Sequence, residues 1–184
     1  MDSYIDIRIR PDAEMRENVL LNKVYIKFHK ALFDLRSLDI GVSFPETKVM
    51  LGTLVRIHSS QERLEELMAL SWLGGLSGYC VFSDIKTVPE CAQYRRVFRW
   101  RPNMSKSHLR RLIKRGSILE HEMKAYKAKM FADQMTTLPY LEMESTSNGK
   151  HHRRYIKMTD IQASPQIGDF DYFGLSKTAT IPWF

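Results

Sequence analysis

Residues 4–10 read YIDIRIR and set the fold of the first part of the chain, because apolar and polar side chains alternate along them. Ile5, Ile7 and Ile9 fall on one face, and aromatic or charged side chains fall on the other. A period of two is typical of a β-strand that buries one face only. Pro11 interrupts the pattern and ends the strand. The chain therefore opens with a half-buried strand.

The residues that follow alternate between helical and strand patterns. Apolar residues recur at helical spacing through the first predicted helix, and Ser59 with Glu62 forms a capping box before the second. The predicted elements are a helix over 14–35, strands over 40–45 and 54–58, a helix over 59–70 and a strand over 79–82. The order β-α-β-β-α-β is that of a ferredoxin-like (RRM-like) unit. We therefore predict an α+β protein whose first domain, residues 1–94, is ferredoxin-like.

Residues 95–184 are predicted to form a second, smaller α+β domain, because the pattern changes at its start to a basic segment and an arginine-rich helix. Gly116 should end that helix. The remaining predicted elements are a helix over 118–132, strands over 138–144 and 153–158, and a strand over 170–173. Asn148-Gly149 lies in the turn between the first two of these strands and is a strong hairpin signal.

Positive charge is concentrated in one block. Residues 95–130 carry twelve Lys/Arg and two Glu, a local charge of +10 in a chain whose total is +7. Residues 1–94 have a net charge of −2, and residues 131–184 a net charge of −1. A basic segment on a near-neutral body is typical of a protein that binds a polyanion, and nucleic acid is the first candidate. The alternative is a basic surface that only interacts with water.

The segment SHLRRLIKRG (107–116) places its cations in rows on an amphipathic helix. Leu109, Leu112 and Ile113 form the predicted packing stripe. The outward rows are Arg110 with Lys114, and Arg111 with Arg115. Arginine can donate two hydrogen bonds to a phosphate or to a guanine edge. Charge alone does not separate DNA from RNA, although a short RNA hairpin has a major groove that is accessible near its end.

His29 is the candidate for acid–base chemistry. It lies on the first predicted helix in the row Tyr25–His29–Phe33, beside the buried stripe. An imidazole has a pKa near ~6.5 and is the natural general base at neutral pH. Read alone, the pattern is more often that of an exposed helix histidine.

A second group of polar residues surrounds the turn at 145–150. Ser145 and Ser147 have hydroxyls that suit a ribose or a phosphate, and His151-His152 suits stacking or titration. Ordinary turn chemistry explains serine and asparagine there equally well.

The sequence contains no motif of a metal or cofactor enzyme. HExxH, paired CxxC, a phosphate loop GxxxxGK[ST] and a GxSxG elbow do not occur in it. We therefore expect no metal and no small-molecule cofactor. RNA cleavage without metal has one obvious route, in which a base removes a 2′-hydroxyl proton and the oxygen attacks the adjacent phosphate.

Cys80 and Cys91 show no disulfide framework, and no apolar run approaches the ~18–20 residues that span a bilayer. The segment MDSYIDIRIRPD lacks the apolar part of a signal peptide. These features predict a cytoplasmic protein that does not contact a membrane.

Six segments occur in an order that resembles one known family. They are MDSYIDIRIRPD (1–12), FHKAL (28–32), IGVSFP (40–45), the arginine-rich helix, STSNG (145–149) and YFGLSKTATIPWF (172–184). Together they strongly resemble the prokaryotic CRISPR-associated repeat-processing endoribonuclease of subtype I-F, the Csy-type enzyme. The resemblance covers essentially the whole chain. It implies an enzyme that cuts at the 3′ base of a CRISPR repeat stem-loop without metal, leaves a 2′,3′-cyclic phosphate, and stays on the crRNA with the other subunits of a type I-F Cascade-type complex.

The resemblance also implies roles for individual residues. His29 corresponds to the catalytic base, Ser145 to the serine that orients the ribose, and Ser147 to the next serine. The implied RNA-binding residues are Arg99 and Arg101 at base edges of the stem, Arg111 and Arg115 in the hairpin groove, and Arg110 and Lys114 along the backbone. Ser147, His152 and Phe173 are also expected to contact the RNA.

This chain departs from the family at three places. His152 stands where the family has a phenylalanine that stacks on the closing base pair, and histidine can also stack. Phe173 stands where the family has a tyrosine, so a hydroxyl is lost beside the base. Thr178-Ala179-Thr180 replaces a glycine pair, which should stiffen the terminal loop.

Two alternatives remain at the level of sequence. The substitutions at His152 and Phe173 are compatible with a crRNA hairpin-binding subunit that has lost catalysis. A ferredoxin-like module of unrelated role, which stacks unpaired bases on its sheet, is the more distant alternative.

Overall fold

The computed structural model describes residues 1–101, 106–134, 136–144, 149 and 151–184, and has a mixed α/β architecture with antiparallel sheets. The strands are β1 (Ser3–Ile9), β2 (Gly41–Ser43), β3 (Leu54–Ser59), β4 (Cys80–Phe82), β5 (Lys86–Thr87), β6 (Gln93–Arg95), β7 (Val97–Trp100), β8 (Tyr140–Glu144), β9 (His151–Met158) and β10 (Ile181–Trp183). The helices are α1 (Glu17–Asp34), α2 (Gln61–Ala69), α3 (Lys106–Lys114) and α4 (Glu120–Gln134), with a 3₁₀ turn at Gly74–Tyr79.

The first sheet has β1 and β3 at its centre. Its strand order is β2-β3-β1-β4, every one of these neighbours is antiparallel, and the short β5 also pairs with β1. The register places Ile5 opposite Ile57 and Ile7 opposite Val55. These four apolar side chains therefore share one face of the sheet, because opposite residues of a ladder point to the same side.

Helices α1 and α2 pack on that face. Ile7, Leu20, Val24, Phe28 and Leu64 are at most 1% exposed and belong to one core. Burying a side chain of this size contributes about 1.5–3 kcal/mol relative to leaving it in water. The alternation predicted for β1 and the helical spacing predicted for α1 are confirmed.

The start of α2 differs from the predicted capping box. Ser60 is the N-cap, and its hydroxyl accepts a hydrogen bond from the amide of Arg63. Ser59 instead ends β3, and its hydroxyl donates to the carbonyl of Asp39. The two adjacent serines are indistinguishable by pattern, and strand pairing decides which one caps the helix.

The C-terminal segment covers the other face of the sheet. A Cβ on Gly41 would lie 2.7 Å from Ile181 and 2.8 Å from Phe170, so only glycine fits beneath this segment. Nearer the sheet centre, the Phe184 ring meets the Tyr4 ring edge-on at 4.9 Å. The guanidinium of Arg56 stacks over both rings, 4.6 Å from the centroid of Tyr4 and 4.2 Å from the centroid of Phe184.

The prediction of a strand at 170–173 is wrong. These residues form a turn, in which the amide of Gly174 donates to the carbonyl of Asp171, and the terminal strand β10 lies further on, where it pairs with β6. The aromatic residues of this stretch favour a strand, but Asp171 and Gly174 supply turn chemistry that overrides them.

The chain divides into two compact units, residues 1–99 with 139–184, and residues 100–138. The predicted boundary between residues 94 and 95 does not coincide with this division. Strands β8 and β9, with β7, form a three-stranded sheet of order β7-β9-β8, and the carboxamide of Asn22 on α1 accepts a hydrogen bond from the amide of Glu142 on β8. These contacts join residues distant in sequence, so they leave no local signal.

None of the described helices is long and apolar enough to cross a membrane.

His58 makes the first sheet sensitive to acid. Its ring is fully buried, with Nε2 2.8 Å from the Ser43 hydroxyl. Its Nδ1 has no hydrogen-bond partner among the residues that the structure describes. Burial, with a smaller contribution from the Arg56 guanidinium, lowers the pKa of His58 from 6.5 to about 3.

Acidification from pH 7.5 to pH 5 is expected to reduce the free energy of unfolding by about 2 kcal/mol through His58 alone. The unfolded chain protonates this imidazole below its ordinary pKa of 6.5, whereas the folded protein resists protonation down to about pH 3. The contribution of neutral His58 to the free energy of unfolding is therefore fully present above pH 6.5 and decreases as the pH falls below it. Urea unfolding at the two pH values measures the loss. His58→Asn, which can still bond to Ser43, should lose about 2 kcal/mol less than the parent protein, and an equal loss would refute the assignment.

Candidate functional site

His29 is held by a backbone carbonyl. The side chain is half-buried on α1, and Nδ1 lies 2.7 Å from the carbonyl oxygen of Tyr172. A carbonyl can only accept a hydrogen bond, so Nδ1 must carry the proton and donate it. The neutral imidazole then has its lone pair on Nε2. The fold thus fixes the tautomer and leaves Nε2 as the atom that can accept a proton.

The turn at 171–175 presents this carbonyl to His29. The carboxylate of Asp171 accepts a hydrogen bond from the amide of Phe173 at 2.9 Å, and the carbonyl of Gly174 accepts one from the amide of Val42 at 2.9 Å. Gly174 has φ +69°, and a Cβ there would lie 3.1 Å from side-chain atoms of α1 and β2. Glycine is required at this position for both reasons.

Phe173 stacks on His29. The two ring centroids are 3.5 Å apart with an interplanar angle of 10°, and the Arg154 guanidinium lies 3.5 Å from the same phenyl centroid. The hydroxyl of Tyr25 donates to the carbonyl of Phe173 at 2.8 Å. At 3.5 Å from the centroid, neither the imidazole of His29 nor the guanidinium of Arg154 can lie in the plane of the phenyl ring. Each group therefore covers one of the two ring faces. Both faces of the Phe173 ring are therefore covered within the protein, and only its edge is left for other contacts.

Tyr172 contributes its backbone to the site. Its ring meets the ring of Phe33 edge-on at 5.4 Å, on the outward row of α1. The Tyr172 ring therefore contacts Phe33, and its backbone carbonyl is the group that contacts His29. The carbonyl of Tyr172 and the ring of Phe173 hold the imidazole.

The environment keeps His29 neutral. Partial burial lowers its pKa below the usual 6.5, and the Arg154 cation lowers it further. The Tyr172 carbonyl and the Asp171 carboxylate act in the opposite direction, and burial prevails. A neutral imidazole at pH 7 is the form that a general base requires.

Arg99 on β7 belongs to the same unit as His29. It is half-buried, and its charge acts on the buried hydroxyl of Tyr25, as does the charge of Arg154. Burial is the larger effect and raises the pKa of that hydroxyl far above its ordinary value. Tyr25 therefore stays protonated and serves as a hydrogen-bond donor.

The predicted serine loop lies mostly outside the described residues. Ser145 and Ser147 are both among the positions that the structure does not describe. The strands that flank them pair in antiparallel register, with Met143 opposite His152 and Glu144 opposite His151, which confirms the predicted pairing of these two strands. His152 is half-buried.

The cationic helix α3 lies in the second unit. Its outward cations are exposed and form no ion pair with any residue that the structure describes. They are Arg110, Arg111, Lys114 and, just after the helix, Arg115. Arg101 is also exposed in this unit. The prediction that Ile113 packs inward is wrong, because its side chain is 45% exposed.

Gly116 ends α3 as predicted. It has φ +65°, its amide donates to the carbonyl of Ile113, and the amide of Ser117 donates to the carbonyl of Leu112. This pair of bonds is a Schellman motif. The last turn carries Arg111 and Lys114, whose charges suit the negative end of the helix dipole.

Arg154 and Asp171 are site residues that the sequence reasoning missed. Arg154 is 5% exposed, although it sits in the basic run HHRRY (151–155). The period-two pattern of β9 was the available signal, since Arg154 shares a face with the buried Ile156. Asp171 had no local signal beyond its turn propensity.

The described residues include no group of three or more His, Cys, Asp or Glu side chains that could hold a metal ion.

Comparison with known proteins identifies the family. A sequence model described as "CRISPR-associated protein (Cas_Csy4)" matches residues 4–184. The chain belongs to the Cas_Csy4 family. It is 38% identical to the "CRISPR-associated endonuclease Cas6/Csy4" of Escherichia coli (strain UTI89 / UPEC), and 35% identical to the protein of the same name from Pseudomonas aeruginosa (strain UCBPP-PA14). Both alignments cover 100% of this chain and 100% of the relative.

A solved structure titled "An RAMP protein binding different RNA substrates" aligns with 97% of this Cas_Csy4 chain and 99% of its own. Its TM-score is 0.35 and its identity 13%, values too low to support a structural argument.

The stacked, partly buried His29 should titrate below the ordinary histidine pKa of 6.5, because burial penalises the imidazolium. In a proton NMR titration, assigned by comparison with His29→Gln, its ring signals should also be displaced upfield by the Phe173 ring current. Phe173→Leu should remove the ring-current displacement and, by admitting water, move the midpoint toward 6.5. A wild-type midpoint at or above 6.5 would contradict the burial described for this ring.

Proposed function

We propose that this protein is a metal-independent endoribonuclease that binds the stem-loop of CRISPR repeat RNA and cuts at its 3′ base. The observation that carries the proposal is the hydrogen bond from His29 Nδ1 to the Tyr172 carbonyl, which leaves Nε2 free to accept a proton. Membership of a family whose relatives are named CRISPR-associated endonucleases supplies the substrate class.

The proposed reaction needs only groups of the protein and the RNA. Nε2 of His29 takes the 2′-hydroxyl proton, and the 2′-oxygen attacks the adjacent phosphorus in line. The O2′–P bond forms and the P–O5′ bond breaks, so that the products are a 2′,3′-cyclic phosphate and a 5′-hydroxyl that has gained a proton. Ser145 would orient the ribose, assisted by Ser147. A positioned base of this kind typically contributes ~10²–10⁴-fold to the rate.

The exposed cations of α3 are proposed to bind the hairpin. Arg111 and Arg115 would enter its groove, while Arg110 and Lys114 would neutralise phosphates along the backbone. Two observations support this assignment. The four side chains are exposed, and they form no ion pair with a described residue, so their charge is available to a ligand.

Other residues are assigned to recognition and support. Arg99 and Arg101 would contact base edges at the bottom of the stem, and His152 would stack on the closing base pair. Phe173 acts by holding His29, because both of its ring faces are covered within the protein.

We also propose that the first part of the chain is a ferredoxin-like domain. The element order β1-α1-β2-β3-α2-β4 and the antiparallel strand order β2-β3-β1-β4 support that assignment. The face of this sheet that other such modules offer to unpaired bases is covered here by residues 170–184, as shown at Gly41 and Tyr4. This covering disfavours a module that stacks single-stranded RNA on its sheet.

A crRNA hairpin-binding subunit without catalysis is the second candidate, and the phenylalanine at position 173 favours it. The enzyme is preferred because the Tyr172 carbonyl orients His29 without a tyrosine hydroxyl. On either proposal the protein remains on its RNA as part of a type I-F Cascade-type complex.

His29→Ala should abolish cleavage of the cognate repeat hairpin while leaving its binding within about twofold, because the imidazole acts as base and not as an anchor. The measurement is a single-turnover assay with end-labelled RNA, excess protein and EDTA. His121→Ala, an exposed histidine on α4, is the matched control and should cleave normally. RNA with one 2′-deoxy nucleotide at the cut should bind and remain intact. Cleavage by His29→Ala at the parental rate would refute the assignment, and binding without cleavage by the parent protein would select the second candidate.

Arg111→Ala should weaken hairpin binding about tenfold and reduce the slope of log affinity against log salt by about 1, because one phosphate or groove contact is lost. Filter binding between about 50 and 200 mM salt measures both quantities. Arg10→Ala, an exposed arginine of the other unit, should change neither. Equal effects from the two variants would mean that the α3 cations contribute only general charge.

A further inference from the structure

Arg154 lies behind the candidate base. Its side chain projects from β9 into the interior and is 5% exposed, and its Cζ is 3.5 Å from the centroid of the Phe173 ring. The His29 ring lies 3.5 Å from the same centroid, nearly parallel to the phenyl. Two groups this close cannot share one face, so imidazole, phenyl and guanidinium form a three-layer stack.

The stack is fixed from several sides. The Phe173 backbone is held by the Tyr25 hydroxyl at 2.8 Å and by the Asp171 carboxylate at 2.9 Å. Nε of Arg154 lies 3.3 Å from the sulfur of Met143 on the neighbouring strand β8. A guanidinium over an aromatic face is attracted by the ring quadrupole, and the attraction is stronger where water is excluded. Arg154 therefore presses the phenyl ring against His29.

The guanidinium also places a positive charge behind the imidazole. The charged and polar groups that act on His29 are Arg154 from β9, and the Asp171 carboxylate and Tyr172 carbonyl from the terminal turn. The Arg154 charge opposes protonation of the imidazole, and the other two favour it. Protonated His29 cannot act as a base, so removing the cation would shift the balance toward the inactive form.

We propose that Arg154 is a positioning residue that acts on His29 through the Phe173 ring. This inference rests on the proposed function, since its consequence is a faster cleavage step and not tighter RNA binding. It gives the phenylalanine at position 173 a role of its own, because the ring contacts both groups and holds the buried cation close behind the imidazole.

The test compares Arg154→Met, which removes the charge and the planar group, with Arg154→Lys, which keeps the charge. Single-turnover cleavage is followed against pH, together with hairpin affinity. We expect Arg154→Met to lower the plateau rate about tenfold through misplacement of the base. It should also move the acid limb of the profile to higher pH, with affinity within about twofold of the parent. Arg154→Lys should leave the acid limb at the pH of the parent protein and should lower the plateau rate by less than Arg154→Met does.

Arg153→Met is the matched control. Arg153 is the adjacent arginine on β9, but its side chain is 53% exposed, lies over the Tyr140 ring and faces Glu142 at 3.6 Å. This variant should leave the acid limb and the plateau unchanged. An unshifted acid limb in Arg154→Met, or loss of hairpin affinity in step with cleavage, would overturn the proposal.

The His29 NMR midpoint in RNA-free protein provides a readout that does not depend on cleavage. It should rise in Arg154→Met and stay low in Arg154→Lys. If the parent protein does not cleave, the proposed function fails, but a raised midpoint in Arg154→Met still supports the action of Arg154 on His29. If Arg154→Met does not fold, Arg154→Lys decides, because a raised midpoint despite the retained charge would overturn the proposal.

Discussion

The return of the C-terminal segment onto the first sheet and its helix is the contact on which the rest of the structure depends. The amide of Val42 on β2 donates to the carbonyl of Gly174, and Gly41 accepts the side chains of Phe170 and Ile181 at a distance that excludes any Cβ. One end of this segment supplies the carbonyl that orients His29. The other end, at Phe184, closes the opposite face of the sheet. The tautomer of His29 and the protection of the sheet therefore have a common origin.

The two units of the chain suit two different physical tasks. The role proposed for His29 requires a neutral imidazole, and partial burial in the first unit lowers its pKa and favours that form. The role proposed for α3 requires exposed cations, and those of α3 are exposed and form no ion pair with a residue that the structure describes.

The phenylalanine at position 173 shows how a ring without a hydroxyl contributes to the candidate site. A hydroxyl positions a neighbour by one directional bond, whereas a ring does so by the area of its contact and by its attraction to a cation on its other face. Here the directional bond to His29 comes from a backbone carbonyl, which no substitution at position 172 removes. The side chain at position 173 is then free to act as a stacking layer between His29 and Arg154.

The sequence by itself determined the elements whose signals are local. Alternation specified β1, helical spacing specified α1, Gly116 specified the end of α3, and the charge block and the six family segments pointed to RNA and to His29. Tertiary structure alone decided that Ser60 and not Ser59 caps α2, that residues 139–184 join the first unit, and that Arg154 and the Tyr172 carbonyl converge on His29. A residue pattern reports how a segment buries its own faces, but not which distant segment covers them. Arg154 looks like one more surface cation in sequence, and only long-range packing makes it part of the site.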